Sequence, residues 1–169
     1  MKTVLLTGAT GFLGSHILES LLNENYNAVI LKRSTSNTWR IDHLLDKVKS
    51  YDVDRNQLQK SFEEQQIHVV IHTACNYGRN EASLAKIAHS NLIFGLKILD
   101  ASMKYQVETF FNTDTFLEKN LNAYSLSKKQ FVEWLQQKSN LIKIVNFKLE
   151  HMYGPKDDST KLASSLLSQ

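Results

Sequence analysis

A single cysteine, Cys75, cannot close an internal disulfide, and no Cys-x-x-Cys or His-Glu-x-x-His spacing offers a metal its ligands. Packing must therefore hold the chain together, and a reducing, cytoplasmic setting is expected. Proline is as scarce: Pro155 alone, so nothing upstream of it breaks a helix in the way proline does. Long hydrophobic runs are missing too. The N-terminus "MKTVLLTGAT" has one lysine and a three-residue apolar run, too short for a signal peptide or a spanning helix. Nor is charge of one sign gathered into blocks: 20 Lys+Arg against 17 Asp+Glu give +3, which asks for neither nucleic acid nor a membrane as partner. What is present, 169 residues of which 42% are hydrophobic and 22% charged, suffices for one globular core.

Glycine is also rare, at six residues, yet three of them fall at positions 8, 11 and 14 in "LLTGATGFLGSH". An apolar run at residues 4–6 precedes them. Phe12, Leu13, Ile17, Leu18, Leu21 and Leu22 follow at helical spacing, so the segment reads strand, turn, helix. In that context a first glycine permits the tight turn, a second lets a pyrophosphate approach the backbone, and a third lets helix and strand pack closely. The helix N-terminus then presents unpaired N–H groups and partial positive charge to the anion. The spacing is Gly-x-x-Gly-x-x-Gly, not the Gly-x-Gly-x-x-Gly of most dehydrogenases; a sharp loop without a ligand is the plain alternative.

Further apolar runs at residues 27–33, 48–53, 67–74, 107–113 and 142–149 read as strands. Between them, residues 55–66, 83–105 and 122–138 read as helices; in the longest, Leu84, Ile87, Ala88, Leu92, Leu96, Leu99 and Met103 keep a three-to-four spacing. Strands alternating with helices predict an α/β fold, a doubly wound parallel sheet with helices on both faces. After Gly154-Pro155 comes "KDDSTKLASSLLSQ", where Ser159 or Thr160 is placed to cap a helix from Lys161 that the chain's end cuts short after about two turns. A truncated chain is the expectation.

Two constellations suggest chemistry. An acid about 20 residues beyond the glycines ordinarily holds the ribose of NAD, but no acid lies between Glu24 and Asp42, where Lys32, Arg33 and Ser34 stand instead. Arg33 suits a 2′-phosphate, which favours NADP(H) and leaves NAD(H) open, an exposed strand end being the alternative. Tyr124 and Lys128, in "YSLSK", stand four apart on one helical face. A cation beside a phenol lowers its pKa from about 10 and makes it a usable acid or base.

Together these residues resemble the extended short-chain dehydrogenase/reductase family, the epimerases, dehydratases and reductases of nucleotide-activated sugars. "TGATGFLGSH" looks like the family's cofactor fingerprint, Asp52-Val53 like the pair that meets the adenine, "NLIFGLKILDA" like its structural helix, and "YSLSK" like its active-site pair. The resemblance implies a Rossmann-type fold and cofactor contacts at Gly8, Thr10, Gly11, Phe12, Leu13, Gly14, Asp52, Val53, Thr73, Ala74 and Lys128. It also implies that Tyr124 exchanges a proton with the sugar while Lys128 binds the nicotinamide ribose and lowers the Tyr pKa. A Ser or Thr at the end of the fifth strand completes such sites. Both Thr113 and Thr115 qualify, Thr115 by strand counting and Thr113 by its Thr-Asp pairing.

"ACNYGRNEAS" and "FKLEHMYGPKDD" are closer to the CDP-paratose and CDP-abequose synthase branch. That likeness implies NADPH-dependent reduction of the C4 ketone of a CDP-4-keto-3,6-dideoxy sugar for surface polysaccharide, with Glu150, His151 and Tyr153 near the sugar. His72 reads as a packed residue. Residues 1–154 would form the dinucleotide-binding domain and 155–169 the start of a truncated substrate-binding region, most of which is absent; the full-length protein would be a homodimer. Epimerisation or dehydration, and a non-catalytic dinucleotide-binding fragment, remain the other readings.

Overall fold

In the computed structural model, which describes residues 1–79 and 83–157, a six-stranded sheet forms the centre. Its strands are β1 (Thr3–Thr7), β2 (Asn27–Lys32), β3 (Lys49–Asp52), β4 (Val69–His72), β5 (Thr109–Thr115) and β6 (Lys143–Leu149). All pair in parallel, in the order β3-β2-β1-β4-β5-β6. The helices are α1 (Phe12–Asn23), α2 (Leu58–Glu64), α3 (Leu84–Ala88), α4 (Phe94–Lys104) and α5 (Ala123–Gln137).

Val4 to Thr7 in β1 and Ala28 to Leu31 in β2 are buried without alternation, as central strands covered on both faces must be. One face packs Leu5, Val29, Val70 and Phe110 against Phe62 of α2, Ile98 and Leu99 of α4, and Phe131 and Leu135 of α5. On the other, Leu6 and Ile30 meet Leu18 of α1 together with Ile41 and Leu44. Gly95 lets α4 and α5 close up: a Cβ there would stand 2.8 Å from Cζ of Phe131. No helix among the described residues is long and apolar enough to cross a membrane.

Three local features depart from the sequence expectation. Leu44 sits in a 3-10 turn, Asp42–Lys47, where no element was expected. The fourth strand keeps only four of its eight expected residues: it starts two residues later, at Val69, and the chain leaves the ladder after His72 to enter the cleft described below. The helix expected over 83–105 is α3, a π turn at His89–Ile93 and α4 in unbroken right-handed succession. That widened turn carries Asn91, fully buried, on the inner face. The expected cap at Ser159 or Thr160 lies outside the described residues, as do Asp158 of "FKLEHMYGPKDD", residues 80–82 of "ACNYGRNEAS" and all but the first residues of the 155–169 segment.

Candidate active site at the strand ends

Strand order reverses between β1 and β4, and open parallel sheets bind ligands in the crevice at such a point, beyond the C-terminal strand ends. Gly8 leaves β1 with φ of +73°, which a side chain rarely adopts, and a Cβ on it would lie 2.6 Å from Oγ1 of Thr73 and 2.7 Å from N of Ala74. Gly14 in α1 is just as confined, since its Cβ would fall 2.1 Å from the Gly8 carbonyl oxygen. Both glycines therefore hold β1, α1 and β4 closer than any side chain allows. Gly11 is exposed and caps α1 with no side-chain hydrogen bond, and the first turn has no acid. That glycine-lined cradle, opening on a helix N-terminus, fits a dinucleotide pyrophosphate.

Hydrogen bonds close the seam beneath it. Oγ1 of Thr7 lies 2.8 Å from Nδ1 of His72 and accepts from N of Ala74 at 3.2 Å, while the Thr73 hydroxyl donates to the Thr7 carbonyl at 2.7 Å. Thr73 and Ala74 are thus at the crevice, with the Thr73 hydroxyl engaged in the seam. Thr10 is in the loop between the glycines, Phe12 packs edge-on against His16, and the Leu13 side chain faces an apolar groove with Ile17, Ile71, Phe111 and Phe147.

At the end of β2, Arg33 is exposed, as a phosphate ligand would be. Its neighbour Ser34 is held from β3 and the turn after it: the hydroxyl donates to Oδ2 of Asp52 at 2.5 Å and the backbone N–H to Oδ2 of Asp54 at 2.9 Å. The Ser34 hydrogen bond is the main reason that the Asp52 carboxyl lies below the usual carboxylate range. Spacing along β2 shows no acid, yet strand pairing, with Lys32 beside Asp52, supplies two. Val53 follows Asp52 and packs against the core.

The candidate reacting groups come from α5 and β5. Asn122 accepts from N of Ser125 at 2.8 Å and the Ser125 hydroxyl accepts from N of Asn122 at 3.2 Å, a capping box that starts α5 at Ala123. Tyr124 and Lys128 therefore share one face of its first turns. Lys129 locks the helix to the strand, donating to Oδ2 of Asp114 at 2.8 Å and to the Thr115 carbonyl at 2.5 Å. Of the two threonines, Thr115 lies within hydrogen-bonding reach of the Tyr124 phenol. Thr113 instead donates to the His72 carbonyl at 3.1 Å.

Charge in the site differs from what the resemblance implies. Burial, above all, and Cys75 next push the Tyr124 pKa up to about 12, against the lowering contributed by Thr115. Lys128 is only 2% exposed, and burial lowers its own pKa, so it does not bring the phenol into the neutral range. The phenol is held protonated. His72 is packed between Phe94, Phe110 and Phe131, and burial drives its pKa down to about 3, as suits a packed residue. Glu150, His151 and Tyr153 are exposed in the stretch after β6, which is tied back to α1 where His16 Nε2 meets the Pro155 carbonyl at 2.9 Å.

One central residue, Asn91, has no role in the sequence reading beyond membership of a helix. Its Oδ1 accepts from N of Asn76 at 2.6 Å; its Nδ2 donates to the Asn76 carbonyl and to the Ser127 hydroxyl, each at 2.9 Å. Ser127 in turn donates to the Tyr124 carbonyl at 2.8 Å. A single buried amide thus joins the loop after β4 to the helix bearing Tyr124. Its signal in the sequence is an amide on the apolar stripe of residues 83–105, where the other fully buried polar side chain is the smaller Ser102.

A doubly wound sheet with a glycine cradle at its switch point and a Tyr-x-x-x-Lys helix beside it is the architecture of a dinucleotide-binding protein. Residues 4–169 match the NAD dependent epimerase/dehydratase family, and the chain belongs to it. It is 32% identical over 168 residues to a CDP-abequose synthase of Salmonella typhimurium, covering 94% of this chain and 56% of that one. A CDP-abequose synthase of Salmonella muenchen is 30% identical, with 95% and 57% covered. The chain thus spans well under two thirds of these relatives. Among solved structures, the UDP-glucose 4-epimerase of Thermus thermophilus in complex with NAD superposes with a TM-score of 0.82 at 24% identity, over 98% of this chain and 60% of that one.

Proposed function

We propose that this chain carries the cofactor half and the reacting pair of an NADPH-dependent reductase acting on the C4 ketone of a CDP-linked 4-keto-3,6-dideoxy sugar. The likeness to CDP-abequose synthases supports the substrate class. The observation that carries the reaction type is Tyr124, protonated with a pKa of about 12 and within reach of the Thr115 hydroxyl. Reduced nicotinamide, when bound, supplies the hydride. Tyr124 then gives its proton to the oxygen that becomes the hydroxyl, Thr115 hydrogen-bonds that same oxygen, and Lys128 holds the nicotinamide ribose. Gly8, Gly11 and Gly14 receive the pyrophosphate, Asp52 and Val53 border the adenine, and Arg33 faces the 2′-phosphate. Residues 1–154 act as the dinucleotide-binding unit, and residues from 155 onward open the sugar-nucleotide part.

Asp52 and Asp54, gathered at Ser34, favour a second reading: an NAD-dependent epimerase in which a β3 carboxylate, not Arg33, meets the adenosine ribose. NADPH oxidation on addition of CDP-4-keto-3,6-dideoxyglucose tests the first reading. Tyr124→Phe is expected to lower its rate by at least about a hundredfold with NADPH affinity unchanged. Retention of the rate within a few-fold would sink the role given to Tyr124.

A further inference from the structure

Tyr77 is unusually well fixed for a side chain that is 55% exposed. Burial and the neighbouring Cys75 push its phenol pKa up, its ring lies 5.0 Å from that of Tyr124 at 35°, and the Arg79 guanidinium stands 5.4 Å from its centroid. The backbone beneath is as constrained. Asn76 is gripped at both N–H and C=O by Asn91, and its side chain turns back to accept from N of Gly78 at 2.9 Å, where φ is +73°. Such a mount fixes an exposed aromatic ring directly beside Tyr124.

We propose that Tyr77 is a specificity-determining residue: its open ring face receives the apolar face of the substrate's sugar and selects deoxygenated hexoses over fully hydroxylated ones. The proposal rests on the nucleotide-sugar reading above. A pyranose presents C–H groups on one face, and these pack against the electron-rich face of an aromatic ring. Each hydroxyl replaced by hydrogen adds apolar surface for the ring to cover. Each hydroxyl retained over the ring loses water without gaining a partner, because the face of an aromatic ring offers no strong hydrogen-bonding atom. The 5.0 Å separation of its ring from that of Tyr124 also sets this contact beside the proposed proton donor. Position and selectivity thus come from the same contact.

The test is calorimetric titration of the NADP+-saturated chain with CDP-glucose and with a CDP-3,6-dideoxyhexose, in wild type, Tyr77→Phe and Tyr77→Ala. Wild type and Tyr77→Phe, which keep the ring, are expected to prefer the dideoxy sugar by about tenfold or more, the size of discrimination an apolar pocket gives. Tyr77→Ala is expected to bind the two within about twofold of each other, with NADP+ affinity equal in all three proteins. An undiminished preference in Tyr77→Ala overturns the proposal and leaves the nucleotide-sugar reading intact. Weakened NADP+ binding in that variant also overturns it, by marking Tyr77 as a support of the fold. A wild-type chain that binds NADP+ but neither CDP sugar overturns both.

Discussion

His72 has nowhere to put a second proton. Nδ1 is engaged with Thr7, Nε2 has no partner, and three phenylalanine rings surround the imidazole. Its pKa falls from 6.5 to about 3, chiefly through burial and secondarily through Lys128. Between those values the unfolded chain binds the proton that the folded one refuses, so stability drops as pH falls below 6.5. The slope is about 1.4 kcal/mol per pH unit, or roughly 3 kcal/mol by pH 4.5. His72→Asn, which keeps a polar atom for Thr7, is expected to have a lower Tm at pH 7 but a shallower decline towards pH 4.5. Parallel Tm-against-pH curves for the two proteins would refute this. Identities at this scale were legible where chemistry is local, as with the Tyr124–Lys128 spacing; the direction in which Tyr124 titrates was not, because burial by non-neighbouring residues decides it.

At the level of elements, the π turn between α3 and α4 is the structural event at the cleft. A widened turn lets a buried polar side chain reach sideways from an apolar stripe, and such turns recur at functional sites. Asn91 uses it to bind Asn76 and Ser127 together. Asn91→Ala leaves two backbone groups of Asn76 and one hydroxyl of Ser127 without that partner, and a loss of about 2 kcal/mol in urea unfolding is expected. A change below about 0.5 kcal/mol, the size of an ordinary surface substitution, would show that the amide joins nothing of consequence. All six strands and the main helices could be read from sequence, since short apolar runs, continuous in the central strands β1 and β2, and a three-to-four apolar spacing in helices are signals carried within each segment. The π turn, the 3-10 turn Asp42–Lys47 and the truncation of β4 could not, because each answers to a contact with another part of the chain.

For the whole molecule, the parallel order and the reversal between β1 and β4 follow from alternating elements and right-handed crossovers, which is why fold class was legible where side-chain partners were not. The corner at the end of β2 shows the difference. Arg33 was visible in sequence, whereas Asp52 and Asp54 reach Ser34 only once β3 lies beside β2. Which charge prevails there can be read as ligand-linked stability. At a hundredfold excess over Kd a bound cofactor adds about 2.7 kcal/mol, roughly 5–10 °C in Tm for a chain of this size. NADPH is expected to raise Tm more than NADH at equal concentration; the reverse order would assign the corner to the carboxylates.

The Thr7–His72 bond has a consequence in time as well as in space. It joins residues 65 apart in sequence, whereas β1 and β2 are linked by a single short helix. Loop closure over such a span is slow relative to local pairing. The β1–α1–β2 unit can therefore gather early, on a ribosome or in refolding, while the crevice between β1 and β4 assembles only after β4 has emerged. The phosphate cradle is half built by local sequence, and its other wall, Thr73 and Ala74, arrives as one of the later steps of folding.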